Sequence, residues 1–324
     1  MLPPGSTFDR SKFPKLQTKK FEEITDEDLE TPIVLSGGFR WNRAADHWFD
    51  LLKNRGFKRI FYAHRTLWEL SIVDRFRYIR EYGWNVNASV PVRSKSIRGV
   101  PVDLQIYVVT SHFDRHKTRR PLLAPKYSTY IQAGAALTDV QMCELRDDVG
   151  EDNISTKNPF YCELTALYWL HKNDFEHEYI GFNLYSRVFA MDDEQLRTAL
   201  LNGIDVIVAE LEILWMSTGA HRLGDYLTQA IRKTHPEYEQ THKAVTEEAV
   251  AASSNLFVAR KNIFHEYCQW LFDVMSEYES MLNANAVKIP PRHFGYIAEH
   301  LITVYFLHNS SKLNILFQRR SFLI

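Results

Sequence analysis

Carboxylates gather between Leu145 and Asn173, where an acidic turn precedes a helical pattern. Asp147 and Asp148 stand side by side in the turn, and Glu163 follows inside the pattern. A carboxylate held near a hydroxyl can take its proton, which is the task of a general base. Asp is also common in turns because it hydrogen-bonds locally, so a structural role for the aspartate pair stays open.

Glu163 has an unusual position for a charged residue. A helix is predicted to start at Asn158, whose side chain suits an N-cap, with Pro159 at the first helical position. Mainly apolar residues then recur at three- and four-residue spacing and predict a core-facing stripe. They are Phe160, Leu164, Leu167, Tyr168 and His171. Glu163 falls within this stripe, and a buried carboxylate needs a cation, hydrogen bonds or a ligand, so a structural ion pair and a site carboxylate both remain open.

The overall composition disfavours several classes of protein. The 324 residues include 39 Lys and Arg against 40 Asp and Glu, and the net charge of −1 gives no sign of nucleic-acid binding. Cys143, Cys162 and Cys268 lack CxxC spacing, which disfavours a zinc site or disulfide framework and favours a reducing compartment. We find no signal peptide and no run near the roughly 20 residues of a transmembrane segment, so we expect a soluble, cytoplasmic chain that can work at a membrane surface.

Three segments are predicted along the chain. Residues 1–30 are polar and charged, which is typical of a flexible N-terminal arm. Residues 31–103 alternate strand-like and helical patterns in a βαβαβ order, which indicates a small Rossmann-like α/β domain. The Gly37-Gly38 turn there is either a phosphate-binding turn or a plain tight turn, because the GxGxxG pattern is incomplete. Residues 104–324 are predicted to form a larger α/β domain.

The elements of this larger domain can be placed from hydrophobic periodicity. Buried strands are predicted at 104–110, 179–182 and 204–210, and a basic mobile loop is predicted over 111–130. A short strand near Asn255 precedes a long amphipathic helix, and Pro290-Pro291 opens a last helix. Alternating strands and helices of this kind are typical of an α/β fold.

Six blocks between residues 104 and 310 resemble a glycosyltransferase family of bacterial capsule, exopolysaccharide and O-antigen biosynthesis, formerly described as a domain of unknown function. They are IYVVTSH (106–112), IQAGAAL (131–137), LRDDVGEDNISTKNPFYCELTALYWLHKN (145–173), YIGFNLYSRVF (179–189), NLFVARKNIFHEYCQWLF (255–272) and RHFGYIAEHLI (292–302). The third block is the most specific. The family has galactofuranosyl- and galactosyltransferase members, and the resemblance implies a GT-A-like domain that binds a nucleotide sugar.

The resemblance also implies the partners. We expect a UDP-sugar donor, with galactofuranose or galactose as the sugar, and a glycan or lipid-linked glycan acceptor at the inner face of the membrane. GT-A enzymes usually hold the diphosphate through a metal on an Asp-x-Asp, but the matching strand end reads Asn183-Leu184-Tyr185-Ser186-Arg187. Cations can take over the diphosphate charge, so we expect no metal and no other cofactor.

This strand end departs from the family pattern, which is His-Tyr-Arg-Arg. Leu184 stands in place of the His and Ser186 in place of the first Arg, so Tyr185 and Arg187 remain. The change removes a positive charge, for which Arg292, the Arg before the family's Phe-Gly, can compensate. It leaves a second interpretation open, in which the chain is a catalytically inactive relative that serves as a carbohydrate-binding or assembly module.

The site residues follow from the same resemblance. Asp147, Asp148 and Glu163 are the predicted catalytic residues, and Glu299 is a further candidate for the base. Thr110 and Gln132 are expected to line the nucleotide pocket, where a glycine would let the backbone approach a ligand closely. The full set of predicted donor-binding residues is Thr110, Gln132, Gly134, Asn153, Tyr185, Arg187, Arg292 and Glu299.

Overall fold

The computed structural model describes residues 33–36, 60–63, 100–114, 127–173, 176–213 and 225–322. The chain divides into two compact units, Met1–Glu69 and Leu70–Ile324. In the first unit, β1 (Ile33–Ser36) and β2 (Ile60–Ala63) pair in parallel, as a βαβ order requires. The N-terminal arm, the Gly37-Gly38 turn, the other elements of the predicted small domain and the basic residues of the 115–126 segment lie outside the described residues. The boundary at residue 103 stays a prediction.

The second unit is built on a mixed sheet. Its strands are β3 (Leu104–Ser111), β4 (Ser128–Ala133), β5 (Leu145–Arg146), β6 (Tyr179–Leu184), β7 (Arg187–Phe189), β8 (Val206–Ala209), β9 (Glu212–Ile213), β10 (Val250–Ala251), β11 (Phe257–Arg260), β12 (Ile315–Gln318) and β13 (Arg320–Phe322). Nine of these join one sheet with the order β12-β8-β11-β6-β3-β4-β5, in which β7 pairs with both β6 and β13. β9 and β10 pair separately.

The middle of the sheet contains a topological switch point. β4 and β6 lie on opposite sides of β3 and both run parallel to it, with Val109 opposite Ile131 on one side and Leu184 on the other. Ligands of open α/β sheets bind outside the carboxyl ends of the strands at such a point. The strands are apolar and buried on both faces, as parallel strands covered by helices usually are. This architecture confirms the predicted α/β class.

Seven helices are described. They are α1 (Asn158–Tyr161), α2 (Leu164–Lys172), α3 (Asp193–Leu201), α4 (Tyr226–Thr234), α5 (Glu239–Glu248), α6 (Lys261–Ala284) and α7 (His293–His308). α6 and α7 meet through aromatic side chains, with the ring of Tyr267 5.2 Å from Tyr305 and 5.3 Å from Phe306. Buried aromatic pairs of this kind stabilise the packing of the two helices on the sheet.

The structure corrects the predicted helix at Asn158. A helix does begin there, but Asn158 does not cap it: its Nδ2 donates to the carbonyl of Cys162 at 2.7 Å and to Thr165 Oγ1 at 3.2 Å. Cys162, with φ of 54°, breaks the helix into α1 and α2. The stripe is therefore not continuous, and Phe160 is 39% exposed instead of buried.

The predicted loop over 111–130 is also too long, because β3 extends to Ser111 and β4 already begins at Ser128. Polar and charged residues dominate this stretch, so its sequence lacks the apolar pattern that predicts a buried strand. The backbone pairing with β3 forms the strand in spite of that composition, since Ser128 lies opposite Ile106.

We expect Gly181→Ala to destabilise the sheet. A β-carbon at Gly181 would lie 2.8 Å from Ile106 Cγ1 and 3.2 Å from Ile106 Cβ, and neither atom is at the end of a flexible chain. Overpacking of this kind lowers the free energy of unfolding by about 1–3 kcal/mol, which urea denaturation would measure. Leu201→Ala is the control, because Leu201 is 37% exposed and its loss should cost under about 0.5 kcal/mol. Equal stability of Gly181→Ala and the wild type would contradict this packing.

Candidate active site at the carboxyl ends of the central strands

Asp147 ties together the loops that follow β4 and β5. The side chain is 0% exposed, and its two oxygens accept from the N–H groups of Gly134 (2.8 Å) and Ala135 (3.0 Å) and from Ser155 Oγ (2.6 Å). Gly134 has φ of 67°, and a β-carbon there would lie 2.6 Å from Asn158 Cγ, so only glycine fits. These contacts are those of a residue that shapes the site, and the catalytic role of Asp147 stays a prediction.

Asp148 lies at the rim of the same loops. Arg146 donates to both of its oxygens, from Nε to Oδ1 at 3.0 Å and from Nη2 to Oδ2 at 2.7 Å, and also donates to the carbonyl of Ala135 at 3.2 Å. The hydrogen bond from Arg146 holds the pKa of Asp148 below its usual value. Asp148 is therefore an ionised hydrogen-bond acceptor at neutral pH. Its predicted catalytic role is untested.

Two side chains that were predicted to bind the donor form hydrogen bonds with the backbone of nearby loops. Gln132, 0% exposed, donates to the carbonyl of Val140 and accepts from the N–H of Met142, both at 2.8 Å. Asn153 donates to the carbonyl of Gly150 at 2.7 Å and accepts from the N–H of Ser155 at 3.2 Å. Both amides hold loop conformations around the site, and donor contact by either remains a prediction.

Buried polar atoms without partners lie at the carboxyl ends of β3 and β6. Within the described part of the chain, Thr110 Oγ1, Ser111 Oγ, His112 Nδ1 and Asn183 Oδ1 are buried and make no hydrogen bond. Thr110 is 3% exposed and Asn183 1% exposed. An unsatisfied buried polar group costs about 1–3 kcal/mol, and Thr110 and Asn183 lie on the same face of the sheet because Asn183 is opposite Val108, so this pair indicates a polar ligand site at the switch point.

A second group of polar residues surrounds the break between α1 and α2. Asn255, 1% exposed, donates through Nδ2 to Glu163 Oε1 at 2.8 Å and to the carbonyl of Gly295 at 3.2 Å. Glu299 stands one turn along α7 from Gly295, and the backbone N–H of Ser254 hydrogen-bonds to it. The structure thus brings together the predicted residues Glu163 and Glu299, with Asn255 beside them.

The charges in this group influence one another. Burial raises the pKa of Glu299, and the neighbouring carboxylate of Glu163 raises it further, while Arg187 and Arg320 lower it. Two neighbouring carboxylates with cations nearby are a common arrangement for tuning the pKa of an acid–base group. Glu299 is therefore a carboxylate that accepts a proton more readily than usual.

The sequence did not point to Arg320 or to its partner. β13 pairs with β7, so that Arg320 lies opposite Phe189 and Phe322 opposite Arg187. Arg320 Nη2 donates to both oxygens of Glu212 at 2.8 Å, and the side chains of Arg320 and Glu212 are each 6% exposed. The resemblance stops near residue 310. The adjacent Arg319-Arg320 pair was the one signal in the sequence that could have found this arginine.

Backbone strain is concentrated around the same group. Among the described residues, six non-glycine residues have positive φ, and three of them adjoin Glu163 or Glu299: Cys162 (54°), Ser254 (93°) and Asn255 (49°). Each such conformation costs on the order of 1–3 kcal/mol, and strained residues cluster at functional sites. Cys162 directly precedes Glu163 in the chain, and Asn255 forms the hydrogen bond to Glu163. Two of the strained residues therefore help to position this carboxylate.

The remaining predicted residues lie at two edges of the site. The N–H of Tyr185 donates to the carbonyl of Val109 at 3.0 Å, which holds the β6–β7 turn against the end of β3. Arg187 follows on β7, paired with Leu184. Arg292 precedes α7, and its N–H donates to the carbonyl of Pro159 at 2.8 Å. Leu184 is 8% exposed.

The β6–β7 turn does not suit a divalent metal. Residues 183–187 offer an amide, a phenol, a hydroxyl and a guanidinium but no carboxylate, which is the group that hard cations prefer. In the part of the chain that the structure describes, no group of three or more His, Cys, Asp or Glu side chains is arranged to hold a metal ion. None of the described helices combines the length and the apolar character of a membrane-crossing segment.

The fold places this chain among α/β proteins whose sheet has a topological switch point, and its sequence gives the family. The family described as Domain of unknown function (DUF4422) matches residues 105–310. The chain belongs to this family. At the sequence level, no curated protein matches the chain.

Solved structures extend the comparison. The apo structure of the bifunctional glycosyltransferase WbbM is similar, with a TM-score of 0.52 and 26% identity over 68% of this chain. The match covers 45% of the WbbM chain, so this chain corresponds to less than half of it. The fold class is therefore the GT-A-like one that the sequence predicted.

Two other glycosyltransferase structures are less similar to this chain in fold and in sequence. The mannosyltransferase Ktr4p from S. cerevisiae has a TM-score of 0.34 and 11% identity, over 64% of this chain and 70% of its own. Mouse xyloside xylosyltransferase 1 has a TM-score of 0.32 and 10% identity, over 67% and 85%. At these scores neither likeness supports a conclusion about this chain.

We expect Asp147→Ala and Asp148→Ala to differ in their effect on stability, although the two residues are neighbours. Removal of Asp147 leaves three buried donors without an acceptor, which should lower the free energy of unfolding by about 2–4 kcal/mol. Removal of Asp148 breaks a rim ion pair that is worth about 0–1 kcal/mol. Urea denaturation of both variants measures the difference, and similar losses would contradict the positioning role of Asp147.

Proposed function

We propose that the chain is a glycosyltransferase that moves a sugar from a UDP-sugar to a polysaccharide acceptor, with galactofuranose or galactose as the sugar. The observation that carries the proposal is the set of unpartnered buried polar atoms at the ends of β3 and β6. Family membership and the likeness to WbbM support it. The raised pKa of Glu299 beside Glu163 also supports it, because the reaction needs a base.

The donor nucleotide is assigned to the carboxyl ends of β3 and β6, at the switch point of the sheet. Thr110 and Asn183 offer it a hydroxyl and an amide oxygen that have no partner among the described residues. The departing diphosphate is assigned to Arg187, because a guanidinium can stabilise phosphate charge without a metal. The turn that holds Arg187 lacks the carboxylates of a metal site, so metal independence is part of the proposal.

The acceptor hydroxyl is assigned to Glu299. In the transfer step the acceptor hydroxyl gives its proton to the carboxylate of Glu299 while its oxygen forms a bond to the anomeric carbon of the donor sugar. The bond between that carbon and the diphosphate breaks at the same time and releases UDP. Burial and Glu163 make Glu299 a stronger base, while Arg187 and Arg320 keep its pKa from rising further. Arg320, whose charge Glu212 balances, is thus a positioning and tuning residue.

A non-catalytic relative remains the alternative, and the replacements at Leu184 and Ser186 favour it. Such a protein would bind a sugar or a nucleotide without releasing UDP from a UDP-sugar. Turnover therefore separates the two functions.

We expect UDP to bind in the presence of EDTA, measured by calorimetry. Arg187→Ala should weaken binding by about 10- to 100-fold, because a charge-assisted hydrogen bond is worth about 1.5–3 kcal/mol. Arg232→Ala is the matched control, because Arg232 forms an exposed ion pair with Glu239 on the surface and should leave the affinity unchanged. Failure of UDP to bind the wild type would refute the proposed donor, and binding only with added metal would refute metal independence.

We expect UDP release from a UDP-sugar to depend on the ionisation of Glu299. Because burial raises the pKa of Glu299 above the ordinary value of a glutamate, the acid limb of kcat/KM should lie at higher pH than an ordinary glutamate would give, and the rate should rise as the carboxylate loses its proton. Glu299→Gln should lower the rate by about 100- to 10,000-fold. Glu277→Gln, which removes a carboxylate from a surface ion pair with Lys233, is the control. No UDP release by the wild type from any of a panel of UDP-sugars would favour the non-catalytic alternative.

A further inference from the structure

Helix α7 is buried along almost its whole length. Thirteen of its 16 residues are buried, and the others are Tyr296, Glu299 and His308. Arg292, directly before the helix, is exposed. Tyr296 and Glu299 are three residues apart, so they lie on one face of the helix. Near the site, solvent therefore reaches α7 only along a line that ends at Glu299, as far as the described residues show.

Tyr296 is the exposed aromatic residue on this line. Its side chain is 44% exposed, and the guanidinium carbon of Arg292 lies 5.7 Å from the centre of its ring. The backbone of Arg292 is held in turn by its N–H bond to the carbonyl of Pro159 and has φ of 64°. A strained residue with a fixed backbone therefore supports the tyrosine ring through a cation–π contact.

A second exposed aromatic residue lies on the neighbouring helix. Phe160, 39% exposed, belongs to α1, and α1 contacts the start of α7 through the Pro159 carbonyl and through the stacked rings of Tyr161 and Phe294, 4.4 Å apart. Phe160 and Tyr296 thus stand on two helices that are tied together beside the site. Exposed aromatic side chains with this support are typical of a binding surface.

We propose that Tyr296 and Phe160 form the subsite for the acceptor sugar ring, next to Glu299. This rests on the proposed transferase function. An aromatic face stacks on the C–H face of a sugar ring, and Tyr296 precedes Glu299 by three residues, about 4.5 Å along a helix axis. A hydroxyl of a ring stacked there can therefore reach the carboxylate. Asn255 Oδ1, which is buried and has no partner within the described residues, is placed beside Glu163 to accept from another hydroxyl.

The charges favour a sugar over the donor's diphosphate at this place. Glu163 and Glu299 border the subsite, and two carboxylates repel a diphosphate while they accept hydrogen bonds from hydroxyls. The guanidinium of Arg292 is directed at the tyrosine ring. The donor and the acceptor thus approach from different elements, the donor from β3 and β6 and the acceptor from α1 and α7.

Binding of simple glycosides tests the subsite without knowledge of the natural acceptor. Saturation-transfer NMR with methyl β-galactopyranoside and methyl β-glucopyranoside would be recorded for the wild type, Tyr296→Ala, Tyr296→Phe and the control Leu201→Ala. We expect Tyr296→Ala to weaken the signal about tenfold, since the stacking surface is lost, and Tyr296→Phe and Leu201→Ala to retain it. Tyr296 is exposed, so the variants should keep the melting temperature of the wild type.

UDP calorimetry on the same proteins separates this subsite from the donor site. UDP affinity should be unchanged in Tyr296→Ala. The subsite is overturned if the wild type binds neither glycoside, if Tyr296→Ala binds them as well as the wild type does, or if that variant loses UDP affinity instead. Glycoside binding that needs Tyr296, in a wild type that does not bind UDP, would uphold the subsite and reject the proposed donor.

Discussion

The buried carboxylate of Asp147 is the constraint on which the rest of the site depends. It accepts two backbone N–H groups and one hydroxyl, and so fixes the left-handed turn at Gly134 against Asn158. Asn158 then holds the carbonyl of Cys162 in its strained conformation. Because that conformation interrupts the helix, Glu163 leaves the packed stripe and reaches Asn255. One buried carboxylate thus determines, through short contacts, where another carboxylate lies.

The two halves of the site differ in how their polar groups are satisfied. Around Asp147, Gln132 and Asn153, nearly every donor has a partner within the protein, which makes the loops rigid. At the ends of β3 and β6, buried polar atoms lack partners, and around Glu299 the charges are balanced at a cost in desolvation. Rigid loops thus surround a region whose buried polar atoms lack partners among the described residues, as the ligand site proposed above requires.

Local patterns predicted the fold well. The strands at 104–110 and 179–182 follow from short apolar runs that are buried on both faces, and the two long C-terminal helices follow from apolar residues at helical spacing. The pairing of Glu163 with Asn255 and of Arg320 with Glu212 could not be predicted, because these contacts join residues that are 92 and 108 positions apart. The break in the helix at Cys162 could not be predicted from the sequence either. Its sequence favours a helix, and the tertiary contacts of Asn158 override that preference.

The same sequence separations have a kinetic meaning. A contact between residues 92 or 108 positions apart closes a long loop. The chain loses conformational entropy when this loop closes, before the contact can stabilise the fold. The sheet around β3, β4 and β6 can form from earlier parts of the chain, whereas the guanidinium of Arg320 joins only after β13 has been added at the edge beside β7. The ionic half of the site is therefore expected to be the last part to mature during folding. Until β13 is in place, the carboxylate of Glu212 lacks the guanidinium that balances its charge in the folded protein.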